Sequence, residues 1–147
     1  MRSFLVRGKK PIIKWGMLPE NTLFQGNIPE GFDLAISPSG NYIVVDVDIN
    51  DKKDGFSKIP INILQELQST LNYNTKNLGK HFWLKYTGSK KLANKTSGLG
   101  IDLRTNKGYV VWYNKEKLED CLHLINNTSE ELNTWLESLF YYAIVKK

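Results

Sequence analysis

The sequence has one cysteine, two histidines and no long apolar run, and each shortage excludes a class of protein. Cys121 alone cannot build a disulfide framework or a thiolate zinc cluster, and we expect it to be a small buried residue on a helix. His81 and His123 give poor support to a zinc site or a two-histidine nuclease motif, and we interpret His123 as structural. No apolar run approaches the ~20 residues that span a bilayer, and the N-terminal apolar stretch is too short for a secretory signal. We therefore expect a cytoplasmic protein without a membrane partner.

The sequence also has fewer acidic residues than basic residues. The 15 acidic residues are outnumbered by 20 basic residues, which gives a net charge of +5. This excess mildly favours a polyanionic partner. The basic residues are scattered along the chain and form no continuous tail, so folding must assemble any binding surface. With 147 residues, 41% of them hydrophobic, we expect one packed domain that covers residues 1–147.

Stretches rich in β-branched and aromatic residues predict the strands. One is expected at residues 42–48 and a second at residues 81–86. A hairpin is expected from residues 99–104 and 109–113, joined by the turn Thr105-Asn106-Lys107-Gly108. Strands that alternate with hairpins and helices favour an α+β fold over a doubly wound parallel sheet.

Helical spacing and capping residues predict three helices. The first begins near Pro60, the second lies between residues 115 and 125, and the third follows a capping box that pairs Thr128 with Glu131. The third helix has an apolar face that we expect in the core: Leu132, Trp135, Leu136, Leu139, Phe140 and Ala143. Residues 1–35 are punctuated by prolines, and we expect them to be irregular.

Two aspartates on the first predicted strand face the same way. Side chains alternate across a strand, so Asp46 and Asp48 share one face and their apolar neighbours share the other. Carboxylates this close repel each other, and a hard divalent cation such as Mg²⁺ or Mn²⁺ would remove the repulsion. The alternative is a solvated strand end. A calcium loop of the EF-hand type is excluded, because its sixth and twelfth positions would be Asp51 and Ser57 instead of Gly and Glu.

Two other predicted strands carry polar residues that suit a cation or a phosphate. Asp102 shares a face with Arg104, which pairs a further carboxylate with a guanidinium suited to phosphate. A salt bridge between the two is the alternative. His81 follows Gly79 and Lys80, and the glycine would let a phosphate approach the backbone. A hydrogen-bonded structural histidine is the alternative there.

The motifs also stand in a familiar order. Asp46-Val47-Asp48 is followed by Gly79-Lys80-His81 and then by Gly100-Ile101-Asp102-Leu103-Arg104 with Gly108-Tyr109-Val110-Val111. This set resembles the primase/polymerase (prim-pol) branch of the archaeo-eukaryotic primase superfamily. Members of that branch carry a hydrophobic strand ending in Asp-x-Asp, a small-residue-x-His motif and a hydrophobic-Asp motif in the same order. The resemblance covers residues 9–114.

The resemblance implies a fold and a set of site residues. The fold would be a split palm, in which an RRM-like mixed sheet bearing the acids lies beside a small N-terminal α/β unit. His81 would contact the phosphates of an incoming dNTP or NTP. On grounds of charge and face, we add Lys80 and Arg104 as phosphate contacts. Three carboxylates would hold catalytic Mg²⁺ or Mn²⁺ ions: Asp46, Asp48 and Asp102.

The implied activity is a DNA-dependent nucleotidyltransferase, a primase/polymerase that adds nucleotides to a 3′-hydroxyl by two-metal catalysis. Its partners would be a DNA template and primer, with a helicase or replisome partner in trans, in phage- or plasmid-type replication in the bacterial cytoplasm. Trp15 would stack on template bases or simply pack. Two alternatives stay open: a catalytically silent nucleotide- or DNA-binding replication module, and a metal-dependent nuclease that uses the same acids.

Overall fold

The computed structural model describes residues 1–141, which form ten β-strands and three α-helices. Ala143, expected on the last apolar face, lies outside the described residues. The strands are β1 (Arg2–Arg7), β2 (Lys10–Pro11), β3 (Asp33–Ser37), β4 (Tyr42–Val47), β5 (Asn72–Asn74), β6 (Lys80–Lys85), β7 (Lys95–Thr96), β8 (Ile101–Arg104), β9 (Val110–Val111) and β10 (Asn126–Asn127). The helices are α1 (Ile61–Ser69), α2 (Leu118–Cys121) and α3 (Glu130–Phe140). The chain is therefore mixed α/β, and no helix within residues 1–141 has the length and apolar character to cross a membrane.

A six-stranded sheet with β4 at its centre carries the predicted acidic strand. Its order is β10-β6-β4-β8-β7, with β5 paired to β6. Because β6 is antiparallel to both β4 and β5, those two strands run parallel with β6 between them, and α1 connects them. The β-branched residues of β4 suit this central position, because all four are buried and they pack on both faces of the strand: Ile43, Val44, Val45 and Val47.

Helices α1 and α3 cover one face of this sheet. Ile63 and Leu67, four residues apart on α1, pack with the inward residues of β4, β6 and β8. Leu132 and Leu136 repeat that spacing on α3, and both are fully buried. Pro60 occupies the N-cap position of α1, one residue before the helix. The helical spacing seen in the sequence thus describes the core face correctly.

A second, four-stranded sheet has the order β2-β1-β3-β9. Ile36 of β3 and Val110 of β9 pack in one cluster with Val44 of β4 and Trp83 of β6, so the two sheets share a core. The expectation that residues 1–35 are irregular is wrong. Strand β1 pairs with β3 from Arg2 opposite Ser37 onward, a partner far along the chain that no local pattern reveals.

The predicted hairpin is also wrong, although its turn is present. Gly108 N–H donates to the Thr105 carbonyl at 2.9 Å, which closes the turn. Strand β8 then pairs with β4 and β7, whereas β9 pairs with β3 of the other sheet. Val110 and Val111 are both buried, which suits a strand covered on two faces better than a hairpin arm with one solvated face.

The start of α3 differs from the predicted capping box. Ser129 is the N-cap and accepts a hydrogen bond from Leu132 N–H at 3.1 Å. Thr128 instead accepts from the Thr87 N–H at 3.0 Å and donates to Asn133. The second predicted helix is short, because α2 gives way to a 3-10 turn at Leu122–Leu124. Cys121 on α2 is buried, as expected.

Candidate active site

The register of the six-stranded sheet brings the predicted acidic residues together. Asp46 on β4 lies directly opposite His81 on β6 and directly opposite Asp102 on β8. Directly opposed residues of antiparallel strands point to the same face, and Asp48 follows two residues after Asp46. Carboxylate oxygens of Asp46, Asp48 and Asp102 lie within 4.8 Å of one another. We call these three residues the acidic trio.

The backbone at Gly55, Gly79 and Gly100 lies very close to the backbone of Val47 and Asp48. The Asp48 N–H donates to the Gly100 carbonyl at 2.8 Å, and its carbonyl accepts from the Gly55 N–H at 2.9 Å. A Cβ on Gly55 would lie 2.2 Å from the Gly100 oxygen, and one on Gly79 would lie 2.4 Å from the Val47 oxygen. The Val47 backbone therefore leaves no room for a side chain at position 79. This reason for the glycine differs from the close phosphate approach that we predicted.

The acidic trio is electrostatically strained. Burial, reinforced by the Asp46 and Asp102 charges, raises the pKa of Asp48 from 3.8 to about 6. Burial also raises the pKa of Asp102, against the opposing effect of Arg104. Asp46 Oδ1 is buried and has no hydrogen bond from any residue in the described part of the chain. An oxygen-only cluster with an unsatisfied buried oxygen fits a hard divalent cation.

His81 is a buried neighbour of the trio, only 5% exposed. Its Nε2 lies 3.5 Å from Asp46 Oδ1, and the pair forms no hydrogen bond. Its Nδ1 lies 3.0 Å from the Tyr73 hydroxyl, and that hydroxyl accepts a hydrogen bond from Trp83 Nε1 at 3.1 Å. Sequence reasoning missed Tyr73. The signal was a lone aromatic in the polar stretch Asn72–Asn74.

The trio opens into a cleft of about 660 Å³ that both sheets line. Four cationic side chains line it: Lys9, Lys76, Arg104 and Lys107. Arg104 Nη2 is 3.4 Å from Asp102 Oδ2, so the salt bridge considered from sequence is present at the cleft wall. The scattered basic residues of the sequence are thus partly gathered by folding.

Lys80 is absent from the cleft lining. It precedes His81 on β6, so its side chain points to the opposite face of the sheet. Its Nζ donates to Asn72 Oδ1 at 3.0 Å. The structure therefore does not support the predicted phosphate contact by Lys80. Lys76, in the loop between β5 and β6, supplies a cation at that edge of the cleft instead.

Trp15 lines the cleft, but its ring is already engaged. It stacks on Phe4 with centroids 5.3 Å apart, and Tyr109 meets it edge-on at 5.5 Å. The Arg2 guanidinium lies 5.1 Å from the ring centroid. These contacts explain the position of Trp15 by packing alone, so stacking on a template base stays a prediction.

Comparison with known proteins finds a matching family model but no matching curated protein. A family model described as the N-terminal domain of bifunctional DNA primase/polymerase matches residues 10–120, more than half of the 147 residues. The matched region contains His81 and the whole acidic trio. The resemblance noted in the sequence is thereby confirmed, and the chain belongs to the Prim-Pol family of bifunctional DNA primase/polymerase N-terminal domains.

Proposed function

We propose that this protein is a DNA-dependent nucleotidyltransferase that adds dNTPs or NTPs to a 3′-hydroxyl on a DNA template. The observation that carries the proposal is the acidic trio, whose carboxylate oxygens lie within 4.8 Å of one another in a chain of the Prim-Pol family. Family membership supports this class of reaction, and the convergence of the carboxylates supports the acidic trio as its site.

The same proposal assigns Mg²⁺ or Mn²⁺ to Asp46, Asp48 and Asp102. Two such cations would lower the pKa of the attacking hydroxyl and stabilise the triphosphate charge during in-line attack on the α-phosphorus. Support comes from the donor set, which is all carboxylate, and from the buried Asp46 oxygen that lacks a hydrogen bond within residues 1–141. The raised pKa of Asp48 adds support, because a cation would relieve the repulsion that helps to raise it.

The cationic residues of the cleft would bind the anionic substrates. Lys76 lies in the loop between β5 and β6 and lines the same cleft as the acids. Lys9, in the turn between β1 and β2, and Lys107, in the turn before β9, line the same cleft as the acids. Arg104 is held beside Asp102, where it orients that carboxylate and offers its remaining N–H groups to phosphate. We propose that His81 donates to the triphosphate.

We also propose that the six-stranded sheet is the RRM-like half of a split palm. Its support is the split β-α-β arrangement of β4, α1 and β5 around β6. The four-stranded sheet would be the smaller N-terminal part, although residues 1–60 contain 3-10 turns and no α-helix. A single catalytic domain over residues 1–147 belongs to the same proposal. The proposal also includes phage- or plasmid-type replication in a bacterial cytoplasm, with a helicase or replisome partner in trans. These two parts rest on the resemblance alone.

Primer extension tests the proposal directly. The full chain, with Mn²⁺ or Mg²⁺ and a labelled primer on a DNA template, should extend the primer when dNTPs are added. The double variant Asp46→Ala/Asp48→Ala should lose extension, whereas the matched variant Asp51→Ala, which removes an exposed carboxylate nearby, should keep it.

Other outcomes would replace the proposal. DNA binding without extension by the wild type would identify a silent binding module. Shortening of the labelled strand without nucleotides, abolished in the double variant, would identify a nuclease. Unchanged extension in the double variant would refute the metal assignment.

A further inference from the structure

A buried hydrogen-bond chain lies behind His81. Tyr73 on β5 is directly opposite His81 on β6, and Trp83, two residues on, shares that face. Trp83 Nε1 is 3.1 Å from the Tyr73 hydroxyl, which is 3.0 Å from His81 Nδ1. None of the three residues is more than 8% exposed, so bulk water does not compete for these bonds.

The direction of each bond follows from the donor types. An indole N–H only donates, so the Tyr73 oxygen accepts from Trp83. Burial raises the pKa of Tyr73, so the phenol keeps its proton. Among residues 1–141, the one remaining hydrogen-bond partner of that phenol is His81 Nδ1, which must therefore accept. The tautomer with its hydrogen on Nδ1 would leave a buried phenol proton without an acceptor.

We propose that Tyr73 is a positioning residue that donates to His81 Nδ1, and so orients the ring and leaves its N–H on Nε2. In this state Nε2–H points towards Asp46 Oδ1, 3.5 Å away, and towards the cleft. His81 can then donate this N–H to an anion in the cleft. Trp112 packs edge-on against Tyr73 at 5.0 Å and Trp83 at 5.7 Å, which restricts movement of both rings. The proposal rests on the proposed function only in naming a nucleotide phosphate as that anion.

Nitrogen NMR of the metal-free full chain, with ¹⁵N-labelled histidine, tests the tautomer of His81. This measurement does not require the protein to be active. The sequence has only two histidines, so the exposed His123 serves as an internal reference. The variant His123→Gln identifies which signals belong to it. We expect His81 to be protonated on Nε2 alone in the wild type and in the control Tyr86→Phe. In Tyr73→Phe we expect that single tautomer to be lost. Protonation of Nδ1 in the wild type, or an unchanged tautomer in Tyr73→Phe, would overturn the proposal.

Steady-state kinetics separate the positioning role from a general loss of structure. With a primed template, Tyr73→Phe should raise the KM for dNTP by about 3- to 10-fold, as expected for one hydrogen bond, while kcat stays within about twofold. An unchanged KM would overturn the functional part of the proposal. A wild type without incorporation would refute the proposed function, and the tautomer would still be decided by NMR. If Tyr73→Phe does not fold, a wild-type coupling between the Tyr73 hydroxyl proton and Nδ1 supports the proposal, and a protonated Nδ1 overturns it.

Discussion

Replacing Asp48 by Asn should stabilise the metal-free protein while it removes activity. The raised pKa means that the folded state binds the Asp48 proton more tightly than the unfolded chain does. Below the ordinary value of 3.8 the carboxyl is protonated in both states, so it has no effect on stability there. As the pH rises towards about 6, ionisation penalises the folded state, and above that pH the full penalty is present.

The size of the effect follows from the same pKa. A rise from 3.8 to about 6 corresponds to an upper limit of ~3 kcal/mol. Because Asp48 is only partly buried, solvent screening reduces this to about 1 kcal/mol. In a protein of this size, that difference raises Tm by about 3 °C. Asp48→Asn should therefore show this gain at pH 7.5 and lose it progressively between pH 6 and pH 4.

Thermal unfolding followed by circular dichroism, with a chelator present, measures the gain. Asp51→Asn is the matched control, since it removes the same charge from an exposed position three residues away. Added Mn²⁺ should raise the Tm of the wild type and of this control, but should raise that of Asp48→Asn far less. If Asp48→Asn is no more stable than Asp51→Asn at pH 7.5, the acidic trio is not strained and the reasoning fails.

Three further predictions test the geometry of the site and the core. Gly79→Ala places a Cβ 2.4 Å from the Val47 oxygen, so it should cost about 1–3 kcal/mol in urea unfolding and impair extension; wild-type stability would contradict the close crossing. Lys76→Gln should raise the KM for dNTP several-fold, whereas Lys80→Gln, on the other face, should leave it unchanged; equal effects would contradict the assigned faces. Leu67→Ala, at a fully buried position under the sheet, should destabilise the fold by about 2–5 kcal/mol in urea, and a loss below 1 kcal/mol would show that the α1 contact is not part of the core.

Local rules allowed several features to be read from the sequence. The strand around Asp46, the shared face of Asp102 and Arg104, and the apolar stripes of α1 and α3 all follow from the fixed periodicity of strands and helices. The ordered motifs also indicated the family, which the family model confirms. Each of these depends on residues that are neighbours in the chain or on the spacing between them.

Sequence reasoning failed where distant segments meet. It predicted a hairpin for residues 99–113, but the chain crosses from one sheet to the other after the turn. It missed β1, whose partner strand begins at Asp33. It selected Lys80, although strand alternation already places that side chain on the face opposite to His81, and it overlooked Lys76, because no single segment reveals the edge of a cleft.

The sequence alone determined which side chains share a face, because backbone geometry alternates them without reference to the rest of the chain. Tertiary structure alone decided that Asp46 lies opposite both Asp102 and His81, and that Tyr73 lies behind the histidine. The pairing of strands depends on which registers bury the apolar faces together and satisfy the backbone hydrogen bonds. Those are properties of the whole packed chain, and no single segment contains them.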